Sequence, residues 1–216
     1  MNPASFDTST TAAQRVASAL VSATSPAAQH VFTQLYADAA RATAQHCDAQ
    51  AQASGNRAAL HGVCITIKDN IDVAGETTMA GGVVCAGEAP ALQDAPVLQR
   101  LRDAGAVVLG KTNMSEFAFS GVGINPHHGT PSNPADPVHA RVPGGSSSGA
   151  AVSVALGLAE VGIGTDTGGS IRIPAALCGL VGFKSTQARI PCTGVMALSR
   201  TLDTVCLLYT SDAADD

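Results

Sequence analysis

The sequence predicts an α/β protein whose mixed β-sheet core is flanked by helices. From Gly62 onward, short β-branched runs alternate with helical patterns, the texture of a sheet with helices on its faces. Apolar residues make up 45% of the chain and charged residues 13%, ample for burial and outside the low-hydrophobicity class that stays disordered. A length of 216 residues suits a single domain with one core.

Taken in order, residues 8 to 54 read as helix. Ser25 precedes Pro26 as an N-cap precedes a first-turn proline, Val31, Leu35 and Ala39 follow at i+4 spacing, and Gly55 stops the run. This defines a helical lead over residues 1–59. A strand is expected over Val63 to Ile67, a helix over Ala95 to Ala104, and a strand over Ala106 to Leu109. Residues 121 to 149 are rich in Gly, Pro, Ser and Asn, too long for a simple connection, so chemistry is expected there. A helix over Ala150 to Leu158 opens behind GGSSSG, and Val161 to Gly164 leads into TDTGGSIRIP.

Charge and composition narrow the function. Twelve Lys and Arg against seventeen Asp and Glu give a net charge of −5 with no basic cluster, which argues against a nucleic-acid surface. No basic-then-apolar leader begins the chain, and the longest apolar stretch, Ala150 to Gly164, is broken by Ser153, Glu160 and glycines. The expectation is therefore neither a signal peptide nor a membrane span. Six cysteines, Cys47, Cys64, Cys85, Cys178, Cys192 and Cys206, form no CxxC pair and read as reduced, mostly buried residues of a cytoplasmic protein.

Three short motifs compete for attention. GAVVLGKT, from Gly105 to Thr112, satisfies the GxxxxGK[ST] pattern of a P-loop nucleotide-binding module. Its variable positions, however, are an apolar strand after a helix, not a phosphate-wrapping loop before one. GSSSG, from Gly145 to Gly149, satisfies the GxSxG nucleophile elbow with Ser147 at its centre, but Pro143 and Gly144 stand where a strand is required. His127, His128 and His139 lack metal-ligand spacing, and solvated loop histidines fit them better than a zinc site.

Three longer segments carry more. GVCITIKDN (Gly62 to Asn70), VPGGSSSGAA (Val142 to Ala151) and GIGTDTGGSIRIPAALCGLVGFK (Gly162 to Lys184), in this order and at these separations, resemble the amidase-signature family, as do KTNMSEFA from Lys111 and GTPSNP from Gly129. The resemblance covers about Leu60 to Val205, a core over residues 60–205. It implies the amidase-signature fold and hydrolysis of a carboxamide to carboxylate plus ammonia or amine through a seryl acyl-enzyme, with no metal or organic cofactor. Residue by residue it makes Ser170 the nucleophile, Ser146 the bridging serine and Lys68 the base. It places the oxyanion hole at the backbone N–H groups of Thr167, Gly168, Gly169 and Ser170. Asp166 and Arg172, flanking the nucleophile loop, are expected to pair as a brace. Gly62-Val63-Cys64 replaces the family's usual Gly-Ile-Pro, and Lys184-Ser185-Thr186 its frequent Lys-Pro-Thr; neither touches the proposed catalytic atoms.

The residue types suit the chemistry. A serine hydroxyl needs a neighbouring base, and the developing oxyanion needs preorganised donors. Lys68 ends an apolar strand. An unperturbed lysine is neutral about once in 2,500 molecules at pH 7, so burial must lower its pKa by roughly 3, about 4 kcal/mol. The expected partner is a small-molecule amide, with a homodimer as an assembly for the full-length protein. The alternatives are a glutaminase resembling the A subunit of the amidotransferase that makes glutaminyl-tRNA, the P-loop module, or a non-catalytic fragment. The family's members continue considerably further, so the chain is expected to be C-terminally truncated, with residues 206–216 a non-native tail and the shortened enzyme inactive or poorly soluble.

Overall fold

A computed structural model describes residues 10–210. Helix α1 spans Ala12–Ala23, and its first turn is closed by a capping box. Gln14 N–H donates to Thr11 Oγ1 at 3.1 Å while Thr11 N–H donates to Gln14 Oε1 at 2.9 Å, satisfying two amides that no helical carbonyl reaches. Ser25 and Pro26 do start a helical turn, but it is a 3-10 turn of three residues, Pro26–Ala28.

The expected continuous helical lead is corrected at this point. Strand β1, Phe32–Leu35, interrupts it before helix α2, Ala37–Ser54. The i+4 spacing of Val31, Leu35 and Ala39 is coincidental to a segment that pairs antiparallel with a later strand, and tertiary pairing overrides local pattern. The lead is thus part of the same sheet as the core. Gly55 ends α2 in the left-handed conformation, φ +69°, as its sequence position predicts.

Strand β2 is Cys64–Lys68, helix α3 is Pro96–Asp103 and strand β3 is Val107–Thr112. Helix α4, Ser148–Ala155, leads to strand β4, Val161–Asp166, helix α5, Arg172–Cys178, strand β5, Val181–Phe183, and strand β6, Thr204–Tyr209. The sheet order is β1-β3-β2-β4-β6-β5, with β3, β2 and β4 parallel and the outer pairings antiparallel, a mixed sheet. Every residue of β2 and β3 is buried, as expected for parallel strands covered on both faces.

Side-chain alternation divides the core between those faces. Cys64, Val107 and Leu109 pack with Val16 and Leu20 of α1 and Ala40 and Ala44 of α2. Ile65, Ile67, Val108 and Ile163 pack on the other face with Leu98 of α3 and with Ile71 and Val73. On the α4 side, glycines in β4 permit close approach. A Cβ on Gly162 would lie 2.9 Å from Ala150 O, and one on Gly164 would lie 2.7 Å from Ser147 Oγ and 2.9 Å from Ile171 Cδ1.

Two further expectations meet the structure. Residues 107–112 of the P-loop match are consumed by β3, so their amides serve the sheet and cradle no phosphate. The boundary drawn after Val205 is not a boundary in the fold: β6 crosses it, pairing Thr204 to Leu208 with β4 and Leu207 to Tyr209 with β5, while residues 211–216 lie outside those described. All six cysteines are free, four of them buried. No helix among the described residues is long and apolar enough to cross a membrane.

Candidate active site

The site forms where β2 and β4 end. Lys68 is the last residue of β2 and Asp166 the last of β4, and crevices outside the carboxyl ends of parallel strands are where α/β sheets present chemistry. Between them arrive the residues preceding α4, from a loop whose Gly145–Ser146 peptide is cis.

Lys68 is fully buried. Its Nζ donates to Ser146 Oγ at 2.7 Å and to Thr165 Oγ1 at 2.8 Å. Burial pulls its pKa down to about 7, against the smaller opposing pull of the carboxylates of Asp166 and Asp203. Thr165, which sequence reasoning missed, is the second hydrogen-bond partner of the amine. Asn70 Nδ2 also donates to Thr165 Oγ1, at 3.3 Å, so the hydroxyl is held from two sides. A threonine at the end of an apolar strand is the only sequence signal, and it is a weak one.

Ser146 is fully buried, and Ser170, 7% exposed, lies on the loop between β4 and α5. Ser147 N–H donates to Ser170 O at 3.2 Å, tying the two serine loops together. Among the described residues the Ser170 hydroxyl makes no hydrogen bond. Ser147, the centre of the elbow motif, is fully buried and donates its hydroxyl to Thr165 O at 3.3 Å, which leaves it structural.

Asp166 is the organising anion of the loop between β4 and α5. Its Oδ1 accepts from Gly169 N–H at 2.8 Å and from Arg172 Nη2 at 2.8 Å; its Oδ2 accepts from Ile171 N–H at 3.1 Å and from Arg172 Nε at 3.0 Å. The Asp166–Arg172 pair expected from sequence is therefore bidentate. Burial alone would raise the Asp166 carboxyl, but the Arg172 guanidinium and the amides of Ile171 and Arg172 outweigh it and hold the pKa below the usual carboxylate range.

This brace engages one of the four amides expected to form the oxyanion hole. The Gly169 amide is already given to Asp166, whereas the amides of Gly168 and Ser170 carry no hydrogen bond among the described residues. Gly169 is required for another reason: its φ of +133° is a glycine conformation, and a Cβ would lie 2.8 Å from Ile173 Cδ1. Gly168 is exposed with nothing within 4 Å of a built Cβ, so it leaves open space over the loop.

Asp69 and Asn70, unassigned from sequence, now have places. Asp69 Oδ2 accepts from Gly81 N–H at 2.8 Å, which fixes the turn at residues 79–82, and Asn70 supports Thr165. His127 and His139 are exposed and pair with Glu116 at 3.1 Å and Asp136 at 3.2 Å.

A buried lysine hydrogen-bonded to one serine, a second serine on a glycine loop and an anion bracing that loop lie together at the carboxyl ends of β2 and β4 on an α/β sheet. The comparisons place it more narrowly. The family model "Amidase" matches residues 15–213, and the chain belongs to the amidase family. It is 42% identical over 176 residues to the A subunit of the glutamyl-tRNA(Gln) amidotransferase of Salinibacter ruber, covering 82% of this chain and 34% of that protein. It is 47% identical over 149 residues to indoleacetamide hydrolase of Pseudomonas syringae pv. syringae, covering 69% of this chain and 33% of that protein. The native peptide amidase of Stenotrophomonas maltophilia superposes with a TM-score of 0.84 at 37% identity, covering 94% of this chain and 42% of that one. The chain thus spans about a third of the length of the curated relatives it matches.

Proposed function

We propose that this chain carries the catalytic centre of an amidase that hydrolyses a carboxamide C–N bond through an acyl-enzyme on Ser170. The observation that carries the reading is the Lys68 amine, buried, lowered to about 7 and 2.7 Å from Ser146 Oγ. Near neutral pH such an amine has a lone pair to offer, and Ser146 is the group it faces.

The steps balance. Neutral Lys68 takes the Ser146 proton while Ser146 takes that of Ser170, and the Ser170 oxygen adds to the amide carbonyl. Negative charge developing on the carbonyl oxygen is met by the free amides of Gly168 and Ser170, with Thr167 alongside. The proton returns through Ser146 to the nitrogen as the C–N bond breaks, releasing amine or ammonia and leaving the ester on Ser170. Water, activated by the same relay, then hydrolyses the ester.

A fluorophosphonate probe tests the assignment. Mass spectrometry should locate the adduct on Ser170, with labelling abolished in Ser170→Ala and slowed about 10² to 10⁴-fold in Ser146→Ala. An adduct on Ser147 would overturn it. The likeness to the amidotransferase protein favours a second reading, a glutaminase working with partner subunits. Glutamine hydrolysis seen only when those subunits are added decides for it.

A further inference from the structure

Asp203 lies outside every motif that marks the site, in the turn before β6. It is nearly buried, and its carboxylate has partners on two separate segments. Thr167 Oγ1 donates to its Oδ1 at 2.5 Å from the loop ahead of the nucleophile. From the other side Leu198 N–H donates to Oδ2 at 2.9 Å and Ser199 N–H to both oxygens at 3.1 Å. The next residue, Thr204, donates its hydroxyl to Asp166 O at 2.7 Å.

The nucleophile loop is therefore held at two points by two carboxylates. Asp166 grips it from within, through the amides of Gly169 and Ile171. Asp203 grips it from outside, through the one side chain between β4 and Gly168 that has a hydroxyl to give. Gly168 and Gly169 lie between the grips, and glycine is the residue least able to hold a conformation unaided. Without the outer grip, the amide of Gly168 has only Asp166, beyond Gly169, to fix its direction.

We propose that Asp203 is a positioning residue for the amide hydrolysis inferred above, acting through the Thr167 hydroxyl to aim the Gly168 amide at the developing oxyanion. Charge-assisted hydrogen bonds of this kind are short and about twice as strong as neutral ones, which suits a carboxylate to the task. The same carboxylate also raises the pKa of Lys68, and this separates its two effects: the hydroxyl carries the aim, the charge carries the field.

Three variants test it: Thr167→Val, which deletes the hydroxyl at constant shape, Thr167→Ser, which keeps it, and Asp203→Asn. Hydrogen exchange followed by mass spectrometry over residues 162–178 should speed up about tenfold or more in Thr167→Val and Asp203→Asn and stay near wild type in Thr167→Ser. Phosphonylation of Ser170 by the fluorophosphonate, with loss of fluoride, should slow about 10- to 100-fold in Thr167→Val, with the midpoint of its pH profile unmoved. In Asp203→Asn the midpoint should also fall, because a negative charge that favours protonated Lys68 is gone. Exchange and phosphonylation in Thr167→Val equal to wild type would overturn the proposal. Should Asp203→Asn fail to fold, the two Thr167 variants decide alone. If wild type takes its label on Ser147 instead of Ser170, the amidase reading fails, and the exchange comparison still decides whether Asp203 holds the loop.

Discussion

Lys68 shows how much depends on one residue's surroundings. A lysine with an ordinary pKa would be a poor base, and full burial lowers that of Lys68 to about 7. The linkage has a definite sign. Between pH 7 and the ordinary lysine value the unfolded chain holds a proton that the folded chain has released, so stability rises with pH by up to about 1.4 kcal/mol per pH unit. Urea unfolding at pH 7 and 8.5 should therefore show wild type gaining about 1.5 to 2 kcal/mol relative to Lys68→Met. Acylation of Ser170 should rise with pH over a midpoint near 7 and disappear in that variant. Asp166 has the same sign in an acidic window. Its lowered pKa means that its contribution is present above the usual carboxylate range and is lost as pH falls through the folded value. Asp166→Ala leaves buried amides of Gly169 and Ile171 unpaired and should destabilise by about 3 kcal/mol or more. Arg172→Ala, whose side chain is half exposed, should lower stability by about 1 kcal/mol. Thermal unfolding of the two variants at pH 7 checks the ranking.

At the scale of elements, β4 and the helices around it set the distances that the chemistry uses. Its glycines are the reason Ser147 and Ile171 lie against the sheet, and those residues adjoin Ser146 and Ser170. Gly164→Ala brings a Cβ to 2.7 Å from Ser147 Oγ, a contact that real Cβ atoms do not make. The expected outcome is a loss of about 1 to 3 kcal/mol by overpacking, with acylation of Ser170 reduced more than the folded fraction. Calorimetry and labelling of the same samples check both. Helices α3 and α4 and strands β2 and β3 were legible, within a few residues, and so was the end of α2 at Gly55, because their periodicity and turn residues lie inside each element. Strand β1 was not, since a four-residue strand with an apolar spacing of four carries no local mark of the strand it pairs with.

For the whole molecule, the site is assembled across the chain: Lys68, Ser146 and Ser170 meet only when β2, the α4 loop and the β4–α5 loop are side by side. Strand β6 closes this arrangement. It pairs with β4 over five positions and separates β4 from β5, and it begins next to Asp203. A chain ending at Asp203 should lose its cooperative thermal transition, because β4 would keep a neighbour on one side alone and Ile163 would lose the packing of Val205. Circular dichroism melting of the shortened chain and of the 216-residue chain checks it.

The sequence by itself determined the fold class and the Asp166–Arg172 brace, since these rest on residue type and on spacing within short segments, while its resemblance to a family supplied the candidate site residues. Tertiary structure decided which donors are free. Nothing in TDTGGS says that the Gly169 amide is given to Asp166, that Thr165 shares the Lys68 amine, or that Asp203 reaches back to Thr167. The same holds for the depressed pKa of Lys68: the residue is written in the chain, but its desolvation comes from strands and loops far from it in sequence. A hydrogen bond or a burial belongs to two partners at once, and where they are distant along the chain only the fold brings them together.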